Sequence, residues 1–203
     1  MGVSDTQLVD GRTARRNRNR EAVLDALIEL CNEIDREPTI EAIADRAGVS
    51  YRSVYRYFDD RTDLMLAAIA RVTGDVWDIF DVEDMGGGSL DERIAQLIRI
   101  RLAAYRELAS LTRIAVRLRA DEPAVAEAYD GVRAYLRNQL LLQFEPEFSA
   151  MSNTDRSLAL AAIDAMFQFE TLDYLAHHEG MPDADITTVY TRHIRAHLDL
   201  ATS

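Results

Sequence analysis

"AIADRAGVSYRSVYRYF", residues 42–58, decides how the rest of the chain is read. A short segment with apolar residues at helical spacing ends in Ala47-Gly48-Val49-Ser50, and a second segment crowded with tyrosine and arginine follows. Ile40, Ile43, Ala44 and Ala47 fall at i, i+3, i+4 and i+7, one stripe of a helix whose N-cap is Thr39. Gly48 suits the left-handed residue just past a helix end, and Ser50 suits the N-cap of the next helix. On that third helix Val54 and Phe58, four apart, form a thin buried seam. Tyr51, Arg52, Ser53, Tyr55, Arg56 and Tyr57 lie on its other faces.

Working outward, residues 15–35 read as a first helix, with columns Val23, Leu27, Leu30, Ile34 and Leu24, Ile28, Cys31. Pro38 disfavours helix in the residue before it. Three short helices with a tight turn between the last two make a helix-turn-helix, whose third helix fits a DNA major groove. Arginine pairs bidentately with guanine, and tyrosine bonds phosphate or packs on a thymine methyl. Helix N-termini and Arg61 are expected to grip phosphates. For Tyr57, beside Phe58, packing on a neighbouring helix is an equal alternative; for Tyr51, Arg52 and Arg56 the groove is the favoured reading.

The stretch "TIEAIADRAGVSYRSVYRYFDDRTDLMLAAI", residues 39–69, resembles the DNA-binding signature of the TetR family of transcriptional regulators. The resemblance rests on an Ile-Ala pair, Ala-Gly-Val-Ser, an aliphatic-Tyr-x-Tyr-Phe run, then a basic residue and a leucine. With the first helix it covers residues 15–69. The sequence departs from the pattern twice: "DREPT" stands where the family has a glycine, and Arg61 stands where it has a lysine. The resemblance implies an all-α fold of about nine helices, a homodimer, and a C-terminal domain for a small-molecule effector.

The chain has 203 residues and net charge −12, which argues at first against a nucleic-acid partner. The distribution alters that argument. All 23 basic residues are arginine; residues 12–71 are balanced, while residues 72–203 carry 22 acids against 12 arginines. "RTARRNRNR", residues 12–20, holds five arginines, Arg16 among them, and no acid. Such a patch is either a solvated charge run or an anion-binding arm; the helix-turn-helix behind it favours the arm. The single cysteine permits no internal disulfide, and no apolar stretch is long enough to span a membrane. A cytoplasmic protein without membrane contact is expected.

Further along, "TDLMLAAIARVTGDVWDIF" continues as a fourth helix, and "DVEDMGGGS" reads as a loop. "SLDE", residues 89–92, is a capping box opening a fifth helix, 90–108, with a sixth over 109–119. A seventh runs from Pro123 to Phe144, and "EPEFSAMSN" is a loop. An eighth covers Thr154 to Glu179, stopped by Gly180, and a ninth Asp185 to Ala201. The expected organisation is a flexible arm (1–14), a helix-turn-helix DNA-binding domain (15–62) and a helical effector-binding and dimerisation domain (63–203).

Helix eight is apolar nearly all round, which requires burial on more than one side, within one chain or against a second copy. The family resemblance favours the copy. Asp164, Gln168 and Thr171 form a polar line at i, i+4, i+7. They bond one another and nearby arginines, or they line a ligand cavity walled by Trp77, Tyr105, Tyr129 and Phe167. No nucleophile motif, phosphate loop or carboxylate pair marks an enzyme, and "HHEG" lacks metal-ligand spacing, so no catalytic residue, metal or cofactor is expected. The function expected is a dimeric transcriptional repressor released from a palindromic operator by a small apolar or amphipathic ligand. The alternative is a DNA-binding or interaction protein of the same fold without a small-molecule ligand.

Overall fold

The computed structural model describes residues 4–34, 36–80 and 85–199; side chains are described from residue 13 onward, except those of residues 75–80. The described residues are helical, with no strand among them. The helices are α1 (Ser4–Glu33), α2 (Ile40–Arg46), α3 (Tyr51–Tyr57), α4 (Arg61–Phe80), α5 (Leu90–Leu118), α6 (Pro123–Gln143), α7 (Glu145–Ala150), α8 (Asn153–Met166), α9 (Phe169–Asp173) and α10 (Asp183–Leu198). A π-helical turn, Tyr174–His178, follows α9.

Two compact units divide the chain, and their boundaries fall inside α4, α5 and α6. The first comprises residues 1–74 and 110–128. Its core takes Val23, Leu24, Leu27 and Cys31 from α1, Ile43 and Ala44 from α2, Val54 from α3 with Phe58 just after it, Leu64 and Met65 from α4, and Ile114 from α5. Burial, then the nearby Glu37 carboxylate, pushes the Cys31 thiol up to about 12, so it stays neutral and inert.

The α2–α3 turn is built as its residues require. Thr39 Oγ1 accepts from Ala42 N at 3.2 Å and starts α2. At the other end Val49 N donates to Ala44 O (3.0 Å) and Gly48 N to Asp45 O (3.2 Å), a Schellman pair that needs Gly48 at φ +65°. Ser50 Oγ then accepts from Ser53 N and starts α3. Outside the core, Arg46 clamps Glu33 of α1 through both guanidinium nitrogens at 2.7 and 2.8 Å, fixing α2 on α1.

The second unit comprises residues 75–109 and 129–203. Its core is filled by Ile94, Leu97 and Ile98 of α5, Leu140 of α6, Phe144, Phe148 of α7, Leu160 and Ile163 of α8, and Ile186, Tyr190 and Ile194 of α10. Arg93 is buried among them. It bonds Gln143 O and the Glu147 carboxylate, while Gln143 Nε2 returns a bond to Arg93 O at 2.7 Å. The capping box forms: Ser89 Oγ accepts from Glu92 N, and Glu92 Oε2 accepts from Ser89 N at 2.8 Å.

Several expected boundaries are corrected. The first helix, expected over 15–35, begins at Ser4 and ends at Glu33. Helices five and six are one helix, α5, since "RELASLTRI" holds no breaker. The loop at 145–153 contains α7, anchored by buried Phe148. The expected eighth helix stops at Phe167 and restarts at Phe169, with Gln168 extended at ψ 146°. At the break side chains add to the bonds that the backbone N–H groups of Phe167 and Gln168 give to Asp164 O and Ala165 O. Tyr190 Oη donates to Met166 O (2.8 Å), Thr171 Oγ1 to Ala165 O (3.1 Å) and Gln168 Nε2 to Asp164 O (3.0 Å). Gly180, at φ +64°, is the stop expected of it.

Two glycines should respond oppositely to alanine. Gly48→Ala meets no neighbour, so its cost is the left-handed backbone alone, about 1 kcal/mol. Gly74→Ala, also in open space but inside α4, should stabilise by about 0.5–1 kcal/mol. Thermal unfolding should show a lowered midpoint for the first and a raised one for the second.

Candidate nucleic-acid interface

Of the seven residues of α3 only Val54 is buried, and Phe58, its C-cap, turns into the same core. Tyr51 and Tyr55, 47% and 42% exposed, pack against each other with tilted rings whose centroids are 5.2 Å apart. Their hydroxyls are within bonding distance, and that bond, with the neighbouring phenol's charge, raises the pKa of Tyr51. Arg52 and Arg56 are exposed. Ser50 and Ser53 share a hydroxyl contact of 2.8 Å at the start of the helix. Thr39 and Ser50 are both occupied as caps, so each orients a helix N-terminus, with its hydroxyl committed to the backbone.

Tyr57 is half-buried against the core, and Asn19 Nδ2 of α1 donates to its hydroxyl at 3.2 Å. The neighbouring residue, Arg20, lies over the Phe58 ring at 4.9 Å. Residues 19 and 20 of α1 therefore meet residues 57 and 58 at the end of α3. Arg16 stands one turn before them on α1 and is exposed.

Some arginines of this unit are paired with carboxylates and others on α1 and α3 are not. Arg46 is held by Glu29 and Glu33, Arg71 by Glu21 and Asp25, and Arg61 by Glu37. Arg15, Arg16, Arg18, Arg52 and Arg56 have no carboxylate partner among the described residues. An arginine without an internal counter-charge can neutralise an external anion without first losing a partner. Arg61, expected to grip phosphate, is paired with Glu37 in this structure. The start of α4 beside it is also occupied: Asp60 Oδ1 accepts from Asp63 N at 2.8 Å, and Asp63 Oδ2 from Asp59 N at 3.0 Å. Carboxylates fill the place that a phosphate would take. Arg15 and Arg18 belong to the arginine-rich run that the sequence marks as an anion-binding arm; Asn19 carries no signal in the sequence, because its part depends on how α1 packs on α3.

The residues expected around an effector all fall in the second unit; Trp77 belongs to α4, and its side chain lies outside the described residues. Tyr105 donates to Asp173 Oδ1 at 2.8 Å, and Tyr129 to Glu170 Oε2 at 3.2 Å, so both phenols are tied to α9. Phe167 packs on Tyr190 with centroids 4.7 Å apart. Asp164 pairs with Arg137 at 2.8 Å. The regular i, i+4, i+7 line is lost with the break at Phe167, yet Asp164, Gln168 and Thr171 stay together around it. Gln168 Oε1 is buried and bonds nothing among the described residues.

Residues 23–68 match the signature described as "Bacterial regulatory proteins, tetR family". No curated protein matches the chain by sequence. Among solved structures, a tetR-family transcriptional regulator from Streptomyces coelicolor superposes with a TM-score of 0.65 at 22% identity, covering 92% of this chain and 83% of that one. A transcriptional regulator from Rhodococcus sp. Rha1 gives 0.63 at 17% identity, covering 91% and 96%. Among the described residues no helix is long and apolar enough to cross a membrane. With the all-helical architecture, the Schellman turn and the exposed face of α3, these similarities establish that the chain has the fold of the TetR-family transcriptional regulators and carries that family's N-terminal helix-turn-helix.

Proposed function

We propose that this chain is a cytoplasmic, homodimeric DNA-binding repressor that leaves a palindromic operator when a small apolar or amphipathic ligand binds residues 63–203. The observation that carries the reading is the set of arginines without carboxylate partners, Arg15, Arg16, Arg18, Arg52 and Arg56, on α1 and α3 of a chain whose net charge is −12. Tyr51, Arg52 and Tyr55 would enter the major groove, with Ser53 at the rim and Arg56 reaching a backbone phosphate. Exposed Leu158, 65% accessible on α8, supports pairing of α8 and α10 with a second copy. The unit boundaries fall inside α4, α5 and α6, so continuous helices join the ligand-binding and DNA-binding regions. Ligand would favour a state in which the two recognition helices no longer match successive grooves.

A second reading, a regulator of the same fold without a small-molecule ligand, is favoured by the pairing of Asp164 with Arg137 and by the bond from Gln168 to Asp164 O. The buried acceptor Gln168 Oε1 favours the first, because a ligand donor would satisfy it.

Selection of bound duplexes from a random library tests the proposal. A two-fold symmetric motif is expected, with half-sites about 10 bp apart or a multiple of that. A motif without symmetry would count against a dimer on DNA.

Arg52→Ala should cost about 1–3 kcal/mol and relax preference at one base position per half-site. Arg56→Ala should weaken all sequences alike and lower the salt slope by roughly one counterion. Unchanged affinity and motif in both would remove α3 from the groove.

A ligand found by thermal-shift screening should raise the melting temperature and lower operator affinity together, with a coupling of about 1–3 kcal/mol. Gln168→Leu should leave DNA binding intact and blunt that response.

A further inference from the structure

The bond between Asn19 and Tyr57 has a direction. The amide nitrogen Nδ2 lies 3.2 Å from the phenol oxygen and can only donate. The phenol oxygen is therefore the acceptor, and the proton of Tyr57 is left to be given elsewhere. Among the described residues nothing accepts it. The ring itself is not free to turn away, since it packs against the core of the first unit. The Arg56 guanidinium lies 5.8 Å from its centroid, and Arg16 is exposed one turn before Asn19; neither has a carboxylate partner among the described residues. A fixed hydroxyl donor with the unneutralised Arg56 guanidinium beside its ring, on a surface where α1 also exposes Arg16, is complementary to an oxyanion.

We propose that Asn19 is a positioning residue for DNA: by donating to the phenol oxygen of Tyr57, it fixes that hydroxyl as a donor to a backbone phosphate. The inference rests on the DNA-binding reading above. It gives α1 a part in DNA affinity through a residue that does not itself touch the duplex. It also separates two roles on the same surface. Arg16 and Arg56 neutralise charge and release counterions, whereas the Asn19–Tyr57 pair supplies a neutral, oriented hydrogen bond and releases none.

The competing role for Asn19 is a strut that merely ties α1 to α3. The two are separated by a double-mutant cycle in the full chain, read as affinity for a mixed-sequence DNA duplex over a range of salt, with the thermal midpoint of each protein measured alongside. A phosphate contact is independent of sequence, so no operator need be known. Asn19→Ala and Tyr57→Phe should each weaken binding about three- to tenfold per recognition helix. The double variant should bind no more weakly than Tyr57→Phe, and the salt slope should stay that of the unmodified chain. Asn19→Asp keeps the shape of the side chain but turns it into an acceptor that draws the phenol proton inward. It should bind more weakly than Asn19→Ala, and the difference between the two should shrink in the Tyr57→Phe background. Losses that add in the double variant, or an Asp–Ala difference that is unchanged by Tyr57→Phe, would overturn the positioning role while leaving the DNA reading intact. Failure of the unmodified chain to bind any duplex at low salt would overturn both.

Discussion

Val54 and Phe58 hold α3 to the protein, and the whole candidate interface depends on those two side chains. A helix of seven residues has too few internal hydrogen bonds to persist in water. Its shape is imposed from outside, by two buried anchors four residues apart and by Ser50 at its start. Because the anchors use only one seam, Tyr51, Arg52, Tyr55 and Arg56 are presented to solvent rather than folded away. The preceding turn sets where that face points. Its Schellman bonds end α2 within one residue and allow α3 to begin at once, which a residue unable to reach φ +65° would not permit without strain.

Net charge is a poor guide to what such a surface attracts. The chain carries 35 acids against 23 arginines, yet the acids are distributed so that they cancel some arginines and leave others alone. Glu29 and Glu33 consume Arg46, Glu21 and Asp25 consume Arg71, and Glu37 consumes Arg61. These exposed pairs add little stability, but they remove three cations from the unit's outer field. α3 and the part of α1 that approaches it keep Arg15, Arg16, Arg18, Arg52 and Arg56 without a carboxylate partner among the described residues. A ligand anion responds to this local pattern, since at physiological salt charges more than about 8 Å away are largely screened.

The second unit solves a different problem, that of burying polar groups among apolar ones. Gln143, fully enclosed, has its amide nitrogen bonded to Arg93 O and Gln96 Oε1 and its oxygen to Gly86 N. Arg93 answers with Glu147. Around Phe167 a helix ends with its acceptors satisfied: Tyr190 serves Met166 O, while Thr171 and Gln168 add to the backbone bonds of Ala165 O and Asp164 O. One group in that arrangement, Gln168 Oε1, stays unanswered among the described residues.

Much of this is legible in the sequence, and for a local reason. Caps, left-handed glycines and apolar columns act over one to four residues, so Thr39, Gly48, Ser50, the seam Val54–Phe58 and the capping box at Ser89–Glu92 are placed by their neighbours in the chain alone. The sequence also determined that the chain is all-α, through its lack of breakers inside long apolar-periodic runs. What required the tertiary structure is whatever pairs residues distant in the chain. Sequence spacing places Arg61 where a phosphate ligand belongs, but only packing shows Glu37 beside it. It places Asp164, Gln168 and Thr171 on one helical line, but the hydroxyl of Tyr190, 24 residues beyond Met166, helps to break that line. And it leaves Asn19 unremarked in a run of arginines, because its partner, Tyr57, lies 38 residues away on another helix. Local backbone preferences are written in neighbouring residues; the partner of a charge or a hydroxyl is settled only when the chain folds and the competing partners are brought within reach.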